Sequence, residues 1–274
     1  MSIWRFLNTG SQDGFHNMAI DEVLATHSVP HDKRSILRVY QWEPYAISLG
    51  YNQNPGDLDL EKCKRDNIDV VRRPTGGRAV LHAEELTYSV VIPRDSDFFS
   101  PDTLTTYNRI SEGILSGLLL FGVKAEIVQR LPGDEKSSSY KTKIPCFSGA
   151  AKYEIVYQNK KLVGSAQRRY ENAILQHGSI LVGTFHLRLA NYIAAMKAAQ
   201  VKKFQQALEE KTISISQILT GKIRYDKLIW ALKNGFQECC NIDFLEGQLT
   251  TRELAEIKKM VKKYQALGGV KHEN

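Results

Sequence analysis

The residues most able to do chemistry in this sequence sit beside glycines or in polar stretches. Cys146 lies in Ile144-Pro145-Cys146-Phe147, directly after a Ser- and Lys-rich stretch over 132–143. A thiolate is the reactive form of cysteine, and nearby ammonium groups favour it. A lone cysteine is more often a small buried apolar residue, so its context must decide. Lys161 opens Lys161-Leu162-Val163-Gly164-Ser165-Ala166, an apolar strand running into a Gly-Ser-Ala turn. Such a strand could aim an amine into a pocket, or simply begin a solvated hairpin. His177, in Gln176-His177-Gly178-Ser179, could be a base, a substrate contact or a satisfied structural histidine. Arg72-Arg73-Pro74-Thr75-Gly76-Gly77-Arg78 with His82 packs arginine, glycine and histidine into one turn. The glycine pair lets backbone N–H groups approach a ligand, and guanidinium groups bind carboxylate, phosphate or an acidic surface. The other reading of that turn is a tight hairpin with exposed arginines.

Several classes are set aside by what is missing. The four cysteines (Cys63, Cys146, Cys239 and Cys240) do not form a disulfide framework, and no CxxC or HExxH supplies a zinc site. Gly117-Leu118-Leu119-Leu120-Phe121-Gly122-Val123-Lys124 starts like a phosphate loop but lacks its Gly-Lys-Ser/Thr ending. No apolar stretch is long enough to span a membrane, and the first residues do not read as a signal peptide, so the cytoplasm is expected. The net charge of +7 fits an acidic partner or ordinary solubility, and no motif favours nucleic acid.

The elements that must position these residues alternate. Trp4–Thr9, Ile36–Tyr40, Ala46–Tyr51, Asp69–Arg73, Leu86–Ile92, Lys124–Val128, Tyr153–Tyr157, Lys161–Ala166 and Ala173–Val182 read as strands, with Glu43-Pro44 turning the second into the third. Asp13–Leu24, Asp57–Asp66 and Thr103–Leu120 read as helices. From Leu187 the pattern is helical: 187–198, 203–209, 214–219, 225–238 and 251–264. This predicts an α+β fold with a mixed or antiparallel sheet and flanking helices. The expected organisation is a catalytic domain over 1–185, with a helical part over 186–274 packed on it.

Taken together, four segments resemble the biotin/lipoate ligase and lipoyl-transferase superfamily. They are Asn17-Met18-Ala19-Ile20-Asp21-Glu22, Arg72–Arg78 with His82, Lys161–Ala166 and Gln176–Ser179. Their order and separations make the resemblance specific, whereas any one alone is weak. Within the superfamily, ligases activate a free acid with ATP, and octanoyltransferases pass a preformed thioester through an enzyme cysteine. Cys146, upstream of the lysine motif, resembles the nucleophile of one transferase branch. A second branch carries its cysteine after the His-Gly motif, and 178–183 has none. The resemblance therefore implies catalytic Cys146 and Lys161. It also implies a substrate site of Arg73, Gly76, Gly77, His82, Ser165, Ala166, His177 and Gly178. It implies octanoyl-acyl carrier protein as donor and a lipoyl-domain protein, such as glycine cleavage H protein, as acceptor. No cofactor, metal, nucleic acid or membrane is expected, and the chain is expected to act as a monomer. The alternatives are an ATP-dependent lipoate-protein ligase and a non-catalytic acyl- or carrier-binding module. The ending Lys262–Leu267 resembles relatives only loosely.

Overall fold

The computed structural model describes residues 2–29, 31–129 and 153–266. Cys146 and the Ser/Lys-rich stretch before it lie outside the described residues.

The chain begins with β1 (Ser2–Gln12) and α1 (Gly14–Val23), which a π-helical turn, Leu24–Ser28, extends. Asp13 caps α1, its carboxylate accepting from the His16 N–H. Then follow β2 (Ile36–Trp42), β3 (Ala46–Leu49), α2 (Leu60–Arg65), β4 (Asp69–Arg72), β5 (Val80–His82), β6 (Glu85–Pro93), α3 (Thr103–Leu120) and β7 (Glu126–Gln129). Then come β8 (Tyr153–Tyr157), β9 (Lys160–Arg169) and β10 (Ala173–Leu181). The chain closes with α4 (Ala198–Lys211), α5 (Ile215–Ile218), α6 (Tyr225–Cys240), β11 (Ile242–Glu246) and α7 (Thr251–Ala266).

Eight strands form one sheet in the order β11-β1-β2-β6-β10-β9-β8-β7, and three form a second in the order β4-β3-β5. The large sheet is parallel at β11-β1-β2 and antiparallel from β2 to β7, so the mixed α+β expectation holds. Two details differ from expectation. β3 does not pair with β2 across the Glu43-Pro44 turn; it crosses into the small sheet, between β4 and β5. The stretch after Leu187 is not wholly helical, because Ile242–Glu246 adds a parallel strand beside β1. The first difference arises because local pattern identifies a strand but not its partner, and the second because five residues between two helices are too short a pattern to mark a strand.

Each face of the large sheet has its own character. Leu37, Val39, Leu86, Tyr88, Val90, Ile174 and Ile180 point to one side and pack with Ile110, Ile114, Leu118, Leu232 and Phe236 of α3 and α6. There α3 and α6 touch backbone to backbone: a Cβ on Gly235 would lie 2.1 Å from the Gly117 nitrogen. Gly117 thus belongs to a helix crossing, which accounts for the false start of a phosphate loop. The opposite side of the sheet carries more polar side chains, among them Arg38, Thr87, Ser89, His177 and Ser179, and α1 and the small sheet cover it.

Candidate active site

That polar side is laid out in rows by the strand register. Gly164 lies opposite Ser179, Ser179 is aligned with Thr87 two residues from the Glu85–Leu181 pair, and Thr87 is opposite Tyr40. Ala166 lies opposite His177, which faces Ser89, which faces Arg38. Gly164, Ala166, Ser179 and Thr87 are small, so they leave a trough across the strands. It is a cavity of about 380 Å³, walled also by Met18, Tyr40, Trp42, Ser48, Arg73, Gly77, Arg78, Val80, His82 and Lys161. A volume of that order suits a small ligand or an acyl chain.

A β-bulge brings Lys161 to the cavity. Strict alternation would put it on the face of Val163, which is buried in the α3/α6 core. Between β8 and β9 the register slips: Ile155 pairs with Val163, but Val156 pairs with Lys161. The extra residue, Leu162, joins Val163 in the core, and Lys161 turns to the other side. Its side chain is 9% exposed, and its Nζ donates to Glu154 Oε1 at 2.8 Å, a carboxylate from the neighbouring strand that is itself buried. Pairing is what makes a buried ammonium tolerable.

A second buried charge lies behind His177. Asp21 of α1 is fully enclosed and accepts four hydrogen bonds: from Arg38 Nη1 (2.6 Å), Ser89 Oγ (2.8 Å), Tyr40 Oη (2.9 Å) and His177 Nδ1 (2.9 Å). Burial pushes its carboxyl up, but the charge of Arg38 and the bond from His177 outweigh this and hold it below the ordinary value. Because Asp21 can only accept, His177 carries its proton on Nδ1. Its Nε2 then accepts from the Thr75 hydroxyl at 2.7 Å. Burial lowers the His177 pKa despite Asp21, which keeps the ring neutral near pH 7.

The Pro74–Arg78 turn is built by Arg73. Burial pushes its guanidinium down to about 10. Nη1 donates to the Ser48 carbonyl and hydroxyl, Nε to the Gly76 carbonyl, and Nη2 to the Gly76 and Arg78 carbonyls. Gly77 takes a φ of +94°, the region that favours glycine, which lets the turn fold over this guanidinium. Ser48 Oγ lies 2.7 Å from His82 Nε2, and His82 Nδ1 lies 2.8 Å from Glu85 Oε1. The His82 ring stacks on Trp42 at 4.1 Å. Among the described residues, no cluster of three His, Cys, Asp or Glu side chains could hold a metal ion. Among them too, no helix is long and apolar enough to cross a membrane.

Residues 13–237 match the model of the lipoyl protein ligase A/B catalytic domain. The chain belongs to this family. It is 37% identical to octanoyltransferase LipM of Clostridioides difficile (strain 630), over 96% of this chain and 97% of that protein. It is 35% identical to octanoyltransferase LipM of Staphylococcus aureus (strain NCTC 8325 / PS 47), over 96% of each. Among solved structures it resembles a bipartite lipoate protein ligase of the lipoylation system of Thermoplasma acidophilum. That match has a TM-score of 0.77 and 25% identity, covering 96% of this chain and 93% of the other.

The fold of this family gathers most of the residues singled out by motif. Lys161, Arg73, Gly77, His82, Ser165, Ala166, His177 and Gly178 all line the one cavity. Gly76 does not line it and instead turns its carbonyl onto Arg73. Cys146 lies outside the described residues. Sequence reasoning gave no role to Arg38, Glu154, Tyr40 or Trp42, did not foresee Thr75 as a partner of His177, and singled out Met18 and Asp21 only as members of the first-helix motif, without placing either at the site. Two of these left a trace: Arg38 and Glu154 are charged residues inside otherwise apolar strands, and such residues demand buried partners.

Proposed function

We propose that the chain transfers an octanoyl group from acyl carrier protein to a lysine of a lipoyl-domain protein, through a thioester on Cys146. One observation carries the reading: a buried amine, Lys161, lies at the side of an acyl-sized trough. The chain that holds it shares more than a third of its residues, almost end to end, with proteins named octanoyltransferase LipM. It is an acyltransferase of lipoate biosynthesis.

The chemistry has two halves. The Cys146 thiolate adds to the donor carbonyl, and the carrier thiolate leaves and takes up a proton. The neutral ε-amine of the acceptor then attacks the enzyme thioester, forms an amide, gives up a proton and releases the Cys146 thiolate. The sum is thioester plus amine giving amide plus thiol, which runs downhill without ATP. Lys161 supplies positive charge opposite the sulfur, and Glu154 fixes the direction of that ammonium. Backbone N–H groups near Gly77 and in Gly164–Ala166 face the oxyanion, where one donor is worth on the order of 3 kcal/mol. The eight-carbon chain fills the trough, at about 0.8 kcal/mol per methylene buried. The net charge of +7 suits acidic carrier and acceptor proteins.

The likeness in fold to a lipoate protein ligase supports a second reading, ATP-dependent ligation. One experiment separates them. The protein is mixed with octanoyl-carrier protein and no nucleotide, and Cys146 is examined by mass spectrometry. We expect one octanoyl adduct there. Cys146→Ser should remove the adduct and lower transfer by on the order of a thousandfold or more. Lys161→Ala should lower it by roughly a hundredfold. An unlabelled Cys146, with Cys146→Ser still active once ATP and free octanoate are added, would make the chain a ligase. Binding of donor without transfer under either condition would leave a binding module.

A further inference from the structure

We infer that Met18 is the ruler that sets acyl-chain length, closing the trough at the end opposite Lys161. The inference rests on the octanoyl-transfer reading and adds the residue that determines specificity. The cavity runs across the strands from β9 through β10 and β6 to β2, because Gly164, Ser179, Thr87 and Tyr40 all line it. Three inter-strand steps span about 14 Å. The lysine and the thioester occupy about one step, which leaves roughly 9–10 Å. An extended octanoyl chain measures about 9 Å from carbonyl carbon to terminal methyl. Its tail therefore ends against Tyr40, Trp42 and Met18.

Two of those three are fixed. The Tyr40 hydroxyl donates to Asp21 at 2.9 Å, and Trp42 Nε1 donates to Thr87 Oγ1 at 2.7 Å while its ring stacks on His82. Met18 is 1% exposed and presents an unbranched thioether with no polar anchor. The helix beneath it cannot retreat. Asn17, the preceding residue, donates to the carbonyls of Gln12 and Gln41 at 3.0 and 2.9 Å, and accepts from Arg38 at 2.6 Å. The length of the trough is thus set by the side chain at position 18 and not by movement of α1.

The test is a competition among hexanoyl-, octanoyl- and decanoyl-carrier protein for one apo lipoyl-domain acceptor, with products resolved by mass. Met18→Ala removes three heavy atoms and makes room for two methylenes. Each newly buried methylene is worth about fourfold, so the decanoyl-to-octanoyl ratio of kcat/KM should rise roughly fifteenfold. Met18→Phe should shift preference the opposite way, towards hexanoyl. Should Met18→Ala not fold, Met18→Val removes less volume and should move the ratio in the same direction by a few-fold. A wild type active on octanoyl, with ratios unchanged in the folded variants, overturns the ruler alone. A wild type that transfers none of the three acyl groups removes the octanoyl-transfer reading, and the ruler with it.

Discussion

Among the described residues, two buried arginine–carboxylate networks do different work. In one, Arg38 meets Asp21 behind the cavity, with both side chains fully enclosed. In the other, Arg5 of β1 grips Glu253 of α7 through both carboxylate oxygens at 2.6 and 2.8 Å, and Ser28 Oγ and the Thr250 N–H complete the shell. Both obey the same rule, that a buried charge persists only when paired and fully hydrogen-bonded. They differ in where the chain of bonds ends. Glu253 ties a C-terminal helix to the first strand and, through Ser28, to the turn that extends α1, and none of these bonds reaches the cavity of Lys161 and His177. Asp21 leads through His177 to Thr75, and so to the turn that walls the cavity. Buried ion pairs therefore do not mark function by their presence; function is marked by what the last bond in the series holds.

The contrast is sharpest if each cation is removed in turn. Arg38→Met keeps the bulk but leaves Asp21 buried with no opposing cation. Unfolding by urea should show a loss of about 3–5 kcal/mol, the usual cost of orphaning one partner of a buried pair. Transfer should fall further than the folded fraction does, because His177 loses a fixed Asp21. A variant that unfolds easily yet transfers normally per folded molecule would show the Asp21 network to be as purely structural as that of Glu253.

The sequence revealed these networks unequally. Gly76 and Gly77 stand out as a pair in a basic turn, whereas Gly164, Gly178 and His177 lie mid-strand in β9 and β10 and stand out by motif, with strand continuing through Gly164–Ala166 where the sequence predicts a turn. The α3/α6 face of the sheet was legible because an apolar residue every second position has one physical meaning. Lys161 was found by motif alone, since alternation places it on the wrong face and only the bulge at Leu162 corrects it. Arg5 and Glu253 are separated by nearly the whole chain, and nothing local joins them. The same holds for Asp21 with Arg38: each half has a local signature, but the pairing belongs to topology, and β11 is too short to be read locally even before its pairing with β1 is asked.

A middle-sized effect tests the network on the far side. Glu253→Gln should cost about 2 kcal/mol near pH 7, after allowance for solvent screening, with transfer per folded molecule unchanged. Burial raises the Glu253 carboxyl, but bonds from Arg5, Ser28 and Thr250 bring it down to about 2, against an ordinary 4.5. A carboxyl depressed in the fold stabilises fully above its unfolded value, and that stability is lost as pH falls through the folded value. The wild type should therefore lose its advantage over Glu253→Gln between about pH 4.5 and 2, measured as thermal midpoints in parallel acid series. A gap that stays constant across that window would mean that the carboxylate is not what the Arg5 shell recognises.

The smallest effect is the most discriminating, because it cuts the Asp21 series at its last bond. Thr75→Val keeps the shape and removes only the hydroxyl that donates to His177 Nε2. His177 stays neutral and stays held through Nδ1, so stability should fall by only about 1 kcal/mol. Freed from the imidazole, the Pro74–Arg78 turn keeps its grip on Arg73 and the bond from Arg168 of β9 to the Pro74 carbonyl, but loses its tie to His177 beside the cavity. Octanoyl transfer should then drop several-fold, and Thr75→Ser, which restores the donor, should recover most of it. If Thr75→Val costs stability and leaves transfer intact, the bond braces the fold and no more. If Thr75→Ser fails to rescue, the methyl group of Thr75, and not its hydroxyl, is what positions the turn. The predicted pattern, a small stability loss with a larger catalytic one and rescue by serine, requires that the buried aspartate act on the Pro74–Arg78 turn through this hydrogen bond, while its bond from Tyr40 in the opposite wall is left untouched.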